Sequence, residues 1–454
     1  MLDKLQKHLS KIKADYADIR YEKMRETRVG FTGQDLTGIG PNDTDGYVIR
    51  VYKNGGFATI SVTCEADIDK AISRVIENAT ILGKNSDKKV SLKFPNKVEE
   101  VVGLELDGDP RKISLSEKHK LTKHYNDLML AQKDVQSTTI GYSEVYRDKY
   151  FVSTLGSKIN EKTITTSLGG MIICKKGNVV QNGTTVVGGS NGFNRLVGRE
   201  QNFLDRAKTV SELLDAEPVK GGTYNVVLEQ SMTGVFTHEA FGHFSEADLI
   251  ENSPTMLAKM QIGQKLGTEI LDIVDDPTRK GQVGHYKYDD EGVLARPVDL
   301  MKNGVLSGRL HSLKTAAAFN EPITGHTIAE DSRYEPIVRM GCIFIKPREK
   351  SFQDLLTQAG NGLYVVGNKG GQTSGENFTF GAQYAYTIKN GKLDKLVRDI
   401  NLMGNLFTTL GNIVGIGNDI EFSERGGCGK GQMNIKSCYG GPHILIKDAL
   451  VGGV

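Results

Sequence analysis

The sequence predicts an α+β protein with two domains, and three observations support this prediction. The 454 residues include 53 glycines, well above the ~7% that is usual in soluble proteins. Asn-Gly pairs at residues 54–55, 303–304 and 390–391 link β-rich segments, as two-residue hairpin turns do. An apolar stripe of helical period near residues 65–83 indicates that helices accompany the hairpins. We therefore expect antiparallel sheet with a few long helices.

An N-terminal α+β domain is predicted over residues 1–217, with helices packed on one face of an antiparallel sheet. A connector near residues 90–113 contains two prolines, and a helix that begins at Ser114 follows it. Segments rich in Ser, Thr, Val and Ile then predict long hairpins. In chain order, we expect a helix over 2–13, strands over 16–22, 27–37, 46–53 and 56–63, a helix over 65–83, a helix over 114–134, hairpins over 136–187 and a helix over 198–215.

A C-terminal β-rich, barrel-like domain is predicted over residues 218–454. It begins with a strand over Tyr224–Glu229, a turn at Gln230–Ser231 with the serine as N-cap, and an apolar-rich helix over Met232–Ala247. Many short strands separated by glycine-rich turns follow, which fits a barrel or sandwich with its site in loops at one end. The helix over Met232–Ala247 carries the candidate metal site of this domain.

Composition and charge exclude several classes of protein. The net charge is only +2 and no Lys/Arg run is dense, so nucleic acid is not an expected partner. The charged N-terminus lacks the apolar core of a signal peptide, and no stretch approaches the ~20 apolar residues of a membrane helix. Five thinly spread cysteines argue against a disulfide scaffold and for a reducing compartment. We expect a cytoplasmic protein that does not associate with membranes.

The most informative stretch is His238–His243, which differs by one residue from the H-E-x-x-H helix of metalloproteases. On an undistorted helix, a step of five residues turns the second imidazole about 140° from the first, against about 40° for a step of four. Either a π-type wide turn absorbs the extra residue, or the helix bends near Gly242, which has no Cβ. We expect a distortion at Phe241-Gly242 and a metal bound by His238 and His243. The alternative is a chance cluster on an ordinary helix.

Two acidic residues follow this motif. Glu246 lies three residues and Asp248 five residues after His243, close enough to accept a hydrogen bond from an imidazole N–H. Such an acceptor would orient a metal-binding histidine. A solvated acidic helix end is the alternative interpretation.

A catalytic zinc site has three protein ligands and one open position, so a third ligand is needed. The remaining histidines, the five cysteines and many carboxylates are all candidates. Cys428 stands out, because glycines surround it and Arg425 and Lys430 would favour the thiolate, which is the form that binds metal. Cys438 lies ten residues further on, and a regulatory disulfide with Cys428 is a less favoured alternative. The other cysteines lie in or beside strand-like apolar runs and are predicted to be small core residues: Cys64, Cys174 and Cys342.

A glycine-rich segment near the C-terminus is a candidate substrate-binding edge. Gly371, Gln372, Ser374 and Gly375 would let a peptide backbone approach closely and pair with a strand. A tight turn between two strands is the alternative interpretation.

Several segments together resemble the TldD/PmbA family, a group of bacterial and archaeal metallopeptidases once described as modulators of DNA gyrase. The chain resembles the TldD-type subunit, which carries H-E-x-x-x-H, rather than the PmbA (TldE) type, which lacks this motif. The matching segments occur in order over nearly the whole chain: Tyr47–Val51 with Gly56–Ala58, His238–His243, Asp289–Gly292, Gly370–Gly375 and Cys428–Lys430.

The resemblance implies a zinc-dependent metallopeptidase that hydrolyses unfolded or extended peptides. In the family the two motif histidines and the cysteine of the C-G-K segment bind zinc, and the motif glutamate is the catalytic base. It therefore implies His238, His243 and Cys428 as Zn²⁺ ligands and Glu239 as the base. It also implies a dimer, either a homodimer or a heterodimer with a PmbA/TldE-type subunit.

Two other functions are compatible with parts of this pattern. A non-hydrolytic subunit would bind peptides or a partner and use a structural metal, but such a site needs no carboxylate at Glu239 beside its ligands. A DNA-associated regulator would bind DNA in a salt-sensitive way, and the near-neutral charge makes it the weakest alternative.

Overall fold

The structure confirms the α+β class. The computed structural model describes residues 1–85, 91–424 and 426–453, and large β-sheets with helices packed against them account for most of these residues. A seven-stranded sheet takes its strands from residues 16–189, and an eight-stranded sheet takes its strands from residues 217–452. No helix in this described part of the chain is long and apolar enough to span a membrane.

The N-terminal half builds the seven-stranded sheet, in which most strands are antiparallel. Its elements are α1 (Leu2–Leu9), β1 (Tyr16–Thr32), β2 (Asp35–Lys53), β3 (Gly56–Val62), α2 (Ile68–Lys84), β4 (Glu99–Val102), α3 (Leu115–Leu130), β5 (Val135–Ser153), β6 (Lys158–Lys176), β7 (Val179–Gly189) and α4 (Glu200–Glu212). The sheet order is β3-β2-β1-β5-β6, and both β4 and β7 pair with β6.

The C-terminal half builds a barrel and a second sheet of six strands. Its elements are β8 (Glu217–Pro218), β9 (Gly222–Leu228), α5 (Gln230–Val235), α6 (Ala247–Ile250), α7 (Pro254–Lys259), β10 (Ile273–Asp275), β11 (Val298–Lys302), β12 (Val305–Leu306), α8 (Leu313–Phe319), β13 (Thr327–Ile328), β14 (Ile337–Val338), β15 (Cys342–Ile345), α9 (Phe352–Ala359), β16 (Gly362–Ser374), β17 (Asn377–Lys389), β18 (Lys392–Arg398), β19 (Asn401–Asn405), α10 (Leu406–Gly411), β20 (Ile413–Ile416), β21 (Glu421–Phe422), β22 (Cys438–Gly441) and β23 (Ile444–Gly452). The predicted domain boundary between residues 217 and 218 falls within β8 and stays a prediction.

The strands predicted over 16–22 and 27–37 are wrong as separate elements. β1 is one strand of 17 residues, and the turn to β2 lies inside the second predicted strand. Charged residues in the middle of β1 interrupt the apolar pattern on which the prediction rested. The sheet accommodates them by pairing charges across strands, as Glu22 of β1 does with Arg147 of β5 at 2.7 Å.

The three predicted Asn-Gly turns are confirmed. Asn54, Asn303 and Asn390 have φ angles of 53°, 51° and 50°, and the glycine after each also has a positive φ, as a type I′ turn requires. The turns join the antiparallel pairs β2–β3, β11–β12 and β17–β18.

Separate apolar clusters hold the N-terminal helices against the sheet. α1 and α2 bury one cluster with β1 and β2, which includes Leu5 and Ile72. α3 and α4 bury another with β1, β5 and β6, which includes Phe203. α3 begins as predicted, because Ser114 and Glu117 form a reciprocal capping box, and it ends four residues before the predicted end.

A closed five-stranded barrel forms the centre of the C-terminal half. β16, β9, β23, β19 and β17 pair in that order, and the pairing of β16 with β17 closes the ring. One large apolar core joins barrel residues such as Val226 and Phe380 to Ile273 and Ile343 of the six-stranded sheet. Burial of these side chains stabilises both sheets together.

The predicted metal-site helix lies between the barrel and the six-stranded sheet. On one side, the ring of Phe236 packs edge-on against Phe378 of β17, with 5.6 Å between ring centroids. On the other side, a Cβ at Gly242 would lie 3.0 Å from Ile343 of β15. The helix is therefore held in place from both sides.

Buried ion pairs join the two halves of the chain. Asp290 binds Arg20 of β1 at 2.8 Å and Lys149 of β5 at 3.0 Å, and Glu291 binds Arg50 of β2 at 2.6 Å. Each of these side chains is at least nine-tenths buried. A buried charge is costly without its partner. These pairs therefore fix the position of the loop after residue 288 on the N-terminal sheet.

Candidate metal centre

The helix that carries the motif is capped by Glu229 and not, as predicted, by Ser231. The Glu229 carboxylate accepts a hydrogen bond from the Met232 amide at 3.3 Å and another from Ser231 Oγ at 2.7 Å. A carboxylate is favoured here because its charge complements the helix N-terminus. The predicted strand before it is confirmed as β9, which ends one residue before the cap.

A π-helical turn carries the motif, which confirms that the helix is distorted. α5 passes into a π-helix over Phe236–Phe241 and then into a 3₁₀ turn over Gly242–Ser245, so the regular helix predicted over Met232–Ala247 is interrupted. Hydrogen bonds in a π-helix run from i to i+5, which brings residues five apart onto one face. The rings of His238 and His243 accordingly lie 5.3 Å apart between centroids.

Gly242 is required for close packing and not for an unusual backbone conformation. Its φ of −57° and ψ of −44° are helical, so the alternative of a bend that exploits the freedom of glycine is wrong. A Cβ at this position would lie 2.2 Å from Met340 Sδ. Met340 therefore occupies the space that any side chain at residue 242 would need.

Four side chains converge at this turn: His238, Glu239, His243 and Cys428. Each offers a ligand atom, and these atoms lie within 4.8 Å of one another. Cys428 Sγ is 3.4 Å from His243 Nε2, and Glu239 Oε2 is 3.6 Å from the same nitrogen. His238 is buried, whereas the Glu239 side chain is 34% exposed, so the cluster is open to solvent on the Glu239 side.

The chemistry and spacing of these groups fit a zinc ion. Zinc prefers imidazole and thiolate ligands, and tetrahedral Zn–N and Zn–S bonds of ~2.1 and ~2.3 Å place neighbouring ligand atoms about 3.5 Å apart. The 3.4 Å between Cys428 Sγ and His243 Nε2 matches this spacing. His238 Nδ1 is buried and has no hydrogen-bond partner among the residues that the structure describes. Such an unsatisfied buried nitrogen is expected of a metal ligand.

Glu246 orients His243, whereas Asp248 has another role. Glu246 Oε2 lies 3.0 Å from His243 Nδ1, so Nε2 faces the cluster. Asp248 accepts hydrogen bonds from Lys430 Nζ at 2.8 Å and from the Val338 amide at 3.2 Å. The interpretation of Asp248 as an imidazole acceptor is therefore wrong. The backbone becomes extended at Glu246, which turns the residues after it away from the imidazoles.

A short β-bridge presents Cys428 to the helix. The Cys428 amide donates to Ile435 O at 3.0 Å, and the Ile435 amide donates to Cys428 O at 3.3 Å. Gly427 (φ +115°) and Gly431 (φ +73°) have left-handed conformations that favour glycine. Lys430 Nζ binds both acidic residues after the motif, which fastens this loop to the helix.

Charges in the cluster favour the thiolate form of Cys428. Burial would raise the pKa of Cys428, but His238, His243 and Arg339 outweigh it and lower the pKa to about 5. Burial opposes a charged His243, yet its thiolate and carboxylate neighbours raise the pKa of His243 to about 11. Both shifts favour the charged forms of these side chains, and the thiolate is the form of cysteine that binds metal. Arg425, which was also predicted to favour the thiolate, lies outside the described residues.

Arg339 is a charged residue at the site that the sequence analysis missed. It follows β14 directly, is fully buried, and has its Nη1 atom 3.7 Å from Glu246 Oε1. The signal that would have found it is a single arginine within a strand-like apolar run, Ile337 to Ile345, where arginine is rare unless paired.

The predicted substrate-binding residues fall on the β16–β17 hairpin, two on an exposed part of β16 and two at its turn. Gly371 and Gln372 are exposed residues of β16, and a Cβ at Gly371 would lie 2.0 Å from the ring of Phe380. β9 covers the other edge of β16 only over its first four residues. Ser374 ends β16 and Gly375 (φ +56°) lies in the turn, as the alternative interpretation expected.

This hairpin runs beside the motif helix. Thr373 Oγ1 donates a hydrogen bond to the backbone oxygen of Glu239 at 3.2 Å. The exposed part of β16 therefore lies next to the backbone of Glu239.

The remaining cysteines lie away from Cys428. Cys438 is fully buried on β22, in register with Cys342 on the parallel strand β15, and all five cysteines are free. The structure therefore gives no support to a disulfide between Cys438 and Cys428. The buried positions predicted for Cys174 and Cys342 are confirmed, whereas that of Cys64 is wrong, because it is exposed in the loop after β3.

Comparison with known proteins identifies relatives along nearly the whole chain. Residues 17–79 match PmbA/TldA metallopeptidase domain 1, residues 108–215 match the central domain, and residues 221–453 match the C-terminal domain. A metalloprotease of Synechocystis is 35% identical over 97% of this chain and 95% of that protein. A zinc metalloprotease TldD homolog of Saccharolobus solfataricus is 28% identical over 98% of each protein.

Solved structures share the fold at low sequence identity. A protein of Thermotoga maritima that has been proposed to modulate a DNA gyrase superposes with a TM-score of 0.77 at 22% identity, over 96% of each chain. TldE from Thermococcus kodakarensis superposes with a TM-score of 0.75 at 16% identity, over 100% of this chain and 99% of that one.

Proposed function

Because the chain belongs to the PmbA/TldD family of metallopeptidases, we propose that it is a zinc-dependent peptidase that hydrolyses unfolded or extended peptides. The observation that carries this proposal is the convergence of His238, Glu239, His243 and Cys428 within 4.8 Å. Two imidazoles and a thiolate would supply three protein ligands to a zinc ion, the number that a catalytic site has, whereas a structural site has four.

The proposed ligands are His238, His243 and Cys428, and Glu239 is the proposed base. When bound, zinc supplies Lewis acidity that lowers the pKa of water and polarises a carbonyl group. Burial would raise the pKa of Glu239, but its contact with His243 and the charge of His238 outweigh it and lower the pKa. Glu239 is therefore ionised at neutral pH, and its exposed carboxylate can take a proton from the attacking water and pass it to the leaving amine.

The proposed substrate site is the exposed edge of β16 beside Glu239. An extended peptide could pair as an additional strand along Gly371 and Gln372. Its backbone would form the hydrogen bonds, so this pairing would not depend on the side chains of the peptide. The contact of Thr373 with the Glu239 backbone would place such a strand next to the carboxylate. A folded protein cannot offer an unpaired strand in this way, which supports unfolded peptides as the substrate class.

The decisive experiment is the substitution Glu239→Gln, assayed on an unstructured peptide and on bound zinc. We expect zinc content near that of the unmodified protein and loss of cleavage, because the amide cannot accept the proton. Glu269→Gln, at a carboxylate with 85% side-chain exposure, is the matched control and should keep full activity. Cleavage by Glu239→Gln at the unmodified rate would reject the mechanism. Zinc retention without cleavage in the unmodified protein would instead favour a non-hydrolytic binding subunit with a structural metal.

We also propose that the protein is cytoplasmic and acts as a dimer, either with itself or with a PmbA/TldE-type subunit. The low cysteine content supports a cytoplasmic location, and the family resemblance supports a dimer. Light scattering on the purified chain should give twice the mass of 49.7 kDa if it forms a homodimer. A monomer that becomes a dimer only with a TldE-type partner would select the heterodimer.

A further inference from the structure

The outer edge of β3 is regular and carries no charge. In the part of the chain that the structure describes, β3 pairs only with β2, over seven residues and without a β-bulge. Proteins usually protect such an edge with charged side chains, proline or a bulge, because its unpaired backbone groups can pair with another strand. The strand Gly56–Val62 contains none of these. By contrast β4, at the opposite end of the strand order, has four residues and begins with two glutamates.

A groove of about 420 Å³ runs along this edge, between β3 and α2. β3 and the residue after it contribute residues 60–63. Consecutive side chains of a strand point to opposite faces of a sheet, so a groove lined by all four residues lies along the edge of the strand. The helical side contributes Asp67, Lys70, Ala71 and Arg74, whose spacing places them on one face. A groove between an edge strand and a helix is suited to an extended peptide that pairs with the strand.

The C-terminal half of the chain closes one end of this groove. Ser332 and Arg333 line it there. A Cβ at Gly46 of β2 would lie 2.8 Å from Ser332 Oγ, so this loop packs closely on β2 where the pairing with β3 ends. The groove therefore contains residues from both halves and is complete only in the full chain.

The groove presents positive charge that is not neutralised within it. Lys70 and Arg74 are exposed, and neither has an ion pair or a side-chain hydrogen bond among the described residues. Arg333 shares its charge with Asp331 at 2.6 Å. Among the described residues that line the groove, Asp67 is the one carboxylate, and it lies at the start of α2, where its charge complements the helix N-terminus. Lys70 and Arg74 are thus available to an anionic partner.

We propose that β3 and α2 form a docking groove for an extended, acidic segment of a partner protein. The segment would pair with β3 as an additional strand and place its carboxylates beside Lys70 and Arg74. The same edge of a second copy fits less well, since Gly56–Val62 contains no negative charge. The groove shares no residue with the metal centre, so this inference does not rest on the proposed peptidase function.

Binding of a labelled acidic peptide to the full-length protein tests the charge requirement. The probe has about ten residues of alternating glutamate and valine, and fluorescence anisotropy measures its Kd. Lys70→Glu combined with Arg74→Glu should weaken binding about tenfold, because two attractive charges become repulsive. Lys133→Glu combined with Lys208→Glu, at side chains that are 84% and 76% exposed outside the groove, should keep the parental Kd. All proteins carry Glu239→Gln, so that cleavage cannot consume the probe.

A second probe tests the pairing with β3. The same peptide with N-methyl groups on its central amides keeps its charge but cannot donate the hydrogen bonds of a strand, and it should bind about tenfold more weakly. Hydrogen–deuterium exchange locates the unmethylated peptide. Amides of β3 that face away from β2 should exchange about tenfold more slowly at a peptide concentration of about ten times the Kd.

Three results would overturn the proposal. The first is equal binding of the two peptides, and the second is slowed exchange confined to the β16 edge. The third is a homodimer that dissociates on Lys70→Glu with Arg74→Glu while the acidic peptide does not bind, which would assign the groove to a second copy. Because the readouts are peptide affinity and amide exchange, a failure of the proposed peptidase function would leave them unchanged.

Discussion

His243 and Glu246 are joined at 3.0 Å across a 3₁₀ turn, three residues apart. Side chains at i and i+3 eclipse in a 3₁₀ helix, whereas residues five apart share a face in a π-helix. The π-helix changes to a 3₁₀ turn at Gly242, and this change lets His243 face His238 on one side and Glu246 on the other. This change of helix type is the structural basis of the H-E-x-x-x-H spacing.

Glu246→Gln should weaken zinc binding about 10–100-fold, because His243 loses the charged acceptor that directs its Nε2 toward the cluster. Chelator competition at neutral pH measures the affinity. Asp248→Asn is the matched control, since Asp248 binds Lys430 and Val338 and not the imidazole, and it should have the smaller effect. Equal losses in the two variants would contradict this role of Glu246.

Gly242→Ala should destabilise the folded protein by about 1–3 kcal/mol, because the new Cβ would lie 2.2 Å from Met340 Sδ. Thermal unfolding of the metal-free protein measures this effect. Gly411→Ala is a suitable control, since a Cβ there meets nothing within 4 Å. Met340→Ala introduced together with Gly242→Ala should recover part of the loss. A Gly242→Ala variant as stable as the unmodified protein would show that the packing is looser than the structure indicates.

Acid should destabilise the protein through Asp290. Burial would raise the pKa of Asp290, but Arg20, Lys149 and Arg147 outweigh it and hold the pKa well below its usual range. A carboxyl group with a lowered pKa in the folded state contributes stability above its unfolded-state pKa of ~3.9, and loses it as the pH falls toward the folded-state value. The free energy of unfolding should therefore fall below about pH 4 as Asp290 is protonated.

Urea unfolding of Asp290→Asn between pH 7 and pH 3 tests this linkage. The variant should be less stable at pH 7 by about 3–5 kcal/mol, since it leaves buried cations without their partner. It should also lose less stability toward acid than the unmodified protein. Asp215→Asn, at a side chain that is 68% exposed, should retain the parental pH dependence. An identical acid dependence in Asp290→Asn would assign the acid sensitivity to other groups.

Thr373→Val should raise KM about fivefold with zinc content unchanged, since it removes one hydrogen bond worth about 1 kcal/mol between the β16 edge and the Glu239 backbone. Steady-state cleavage of an unstructured peptide measures KM and kcat. Thr379→Val, at an exposed residue of β17 opposite Gln372, should leave both constants unchanged. A KM that is unaffected by Thr373→Val would argue against peptide binding along this edge.

Local sequence patterns were sufficient to predict many of the helices and turns. The apolar stripe of α2, the capping box at Ser114 and the Asn-Gly turns each depend on local backbone and side-chain preferences, and each is found in the structure. The extra residue between the two motif histidines also predicted a distorted helix, because the geometry of a helix over six residues is a local property. The full length of β1 was not predictable in this way, because the partners of its central charges lie on other strands.

Contacts between distant segments were decided by tertiary structure alone. Cys428 lies 185 residues after His243 and comes within 3.4 Å of it only because the loop of Cys428 is fastened to the motif helix through Lys430. Glu246 and Asp248 looked alike as acceptors, and only the extended backbone after the 3₁₀ turn separates their roles. Arg339 lies in the core beside the carboxylate of Glu246, which is 93 residues away in the sequence and comes within 3.7 Å of it only in the folded chain. Periodicity reports which face of an element is buried, whereas the partner that a buried charge finds there depends on packing between elements.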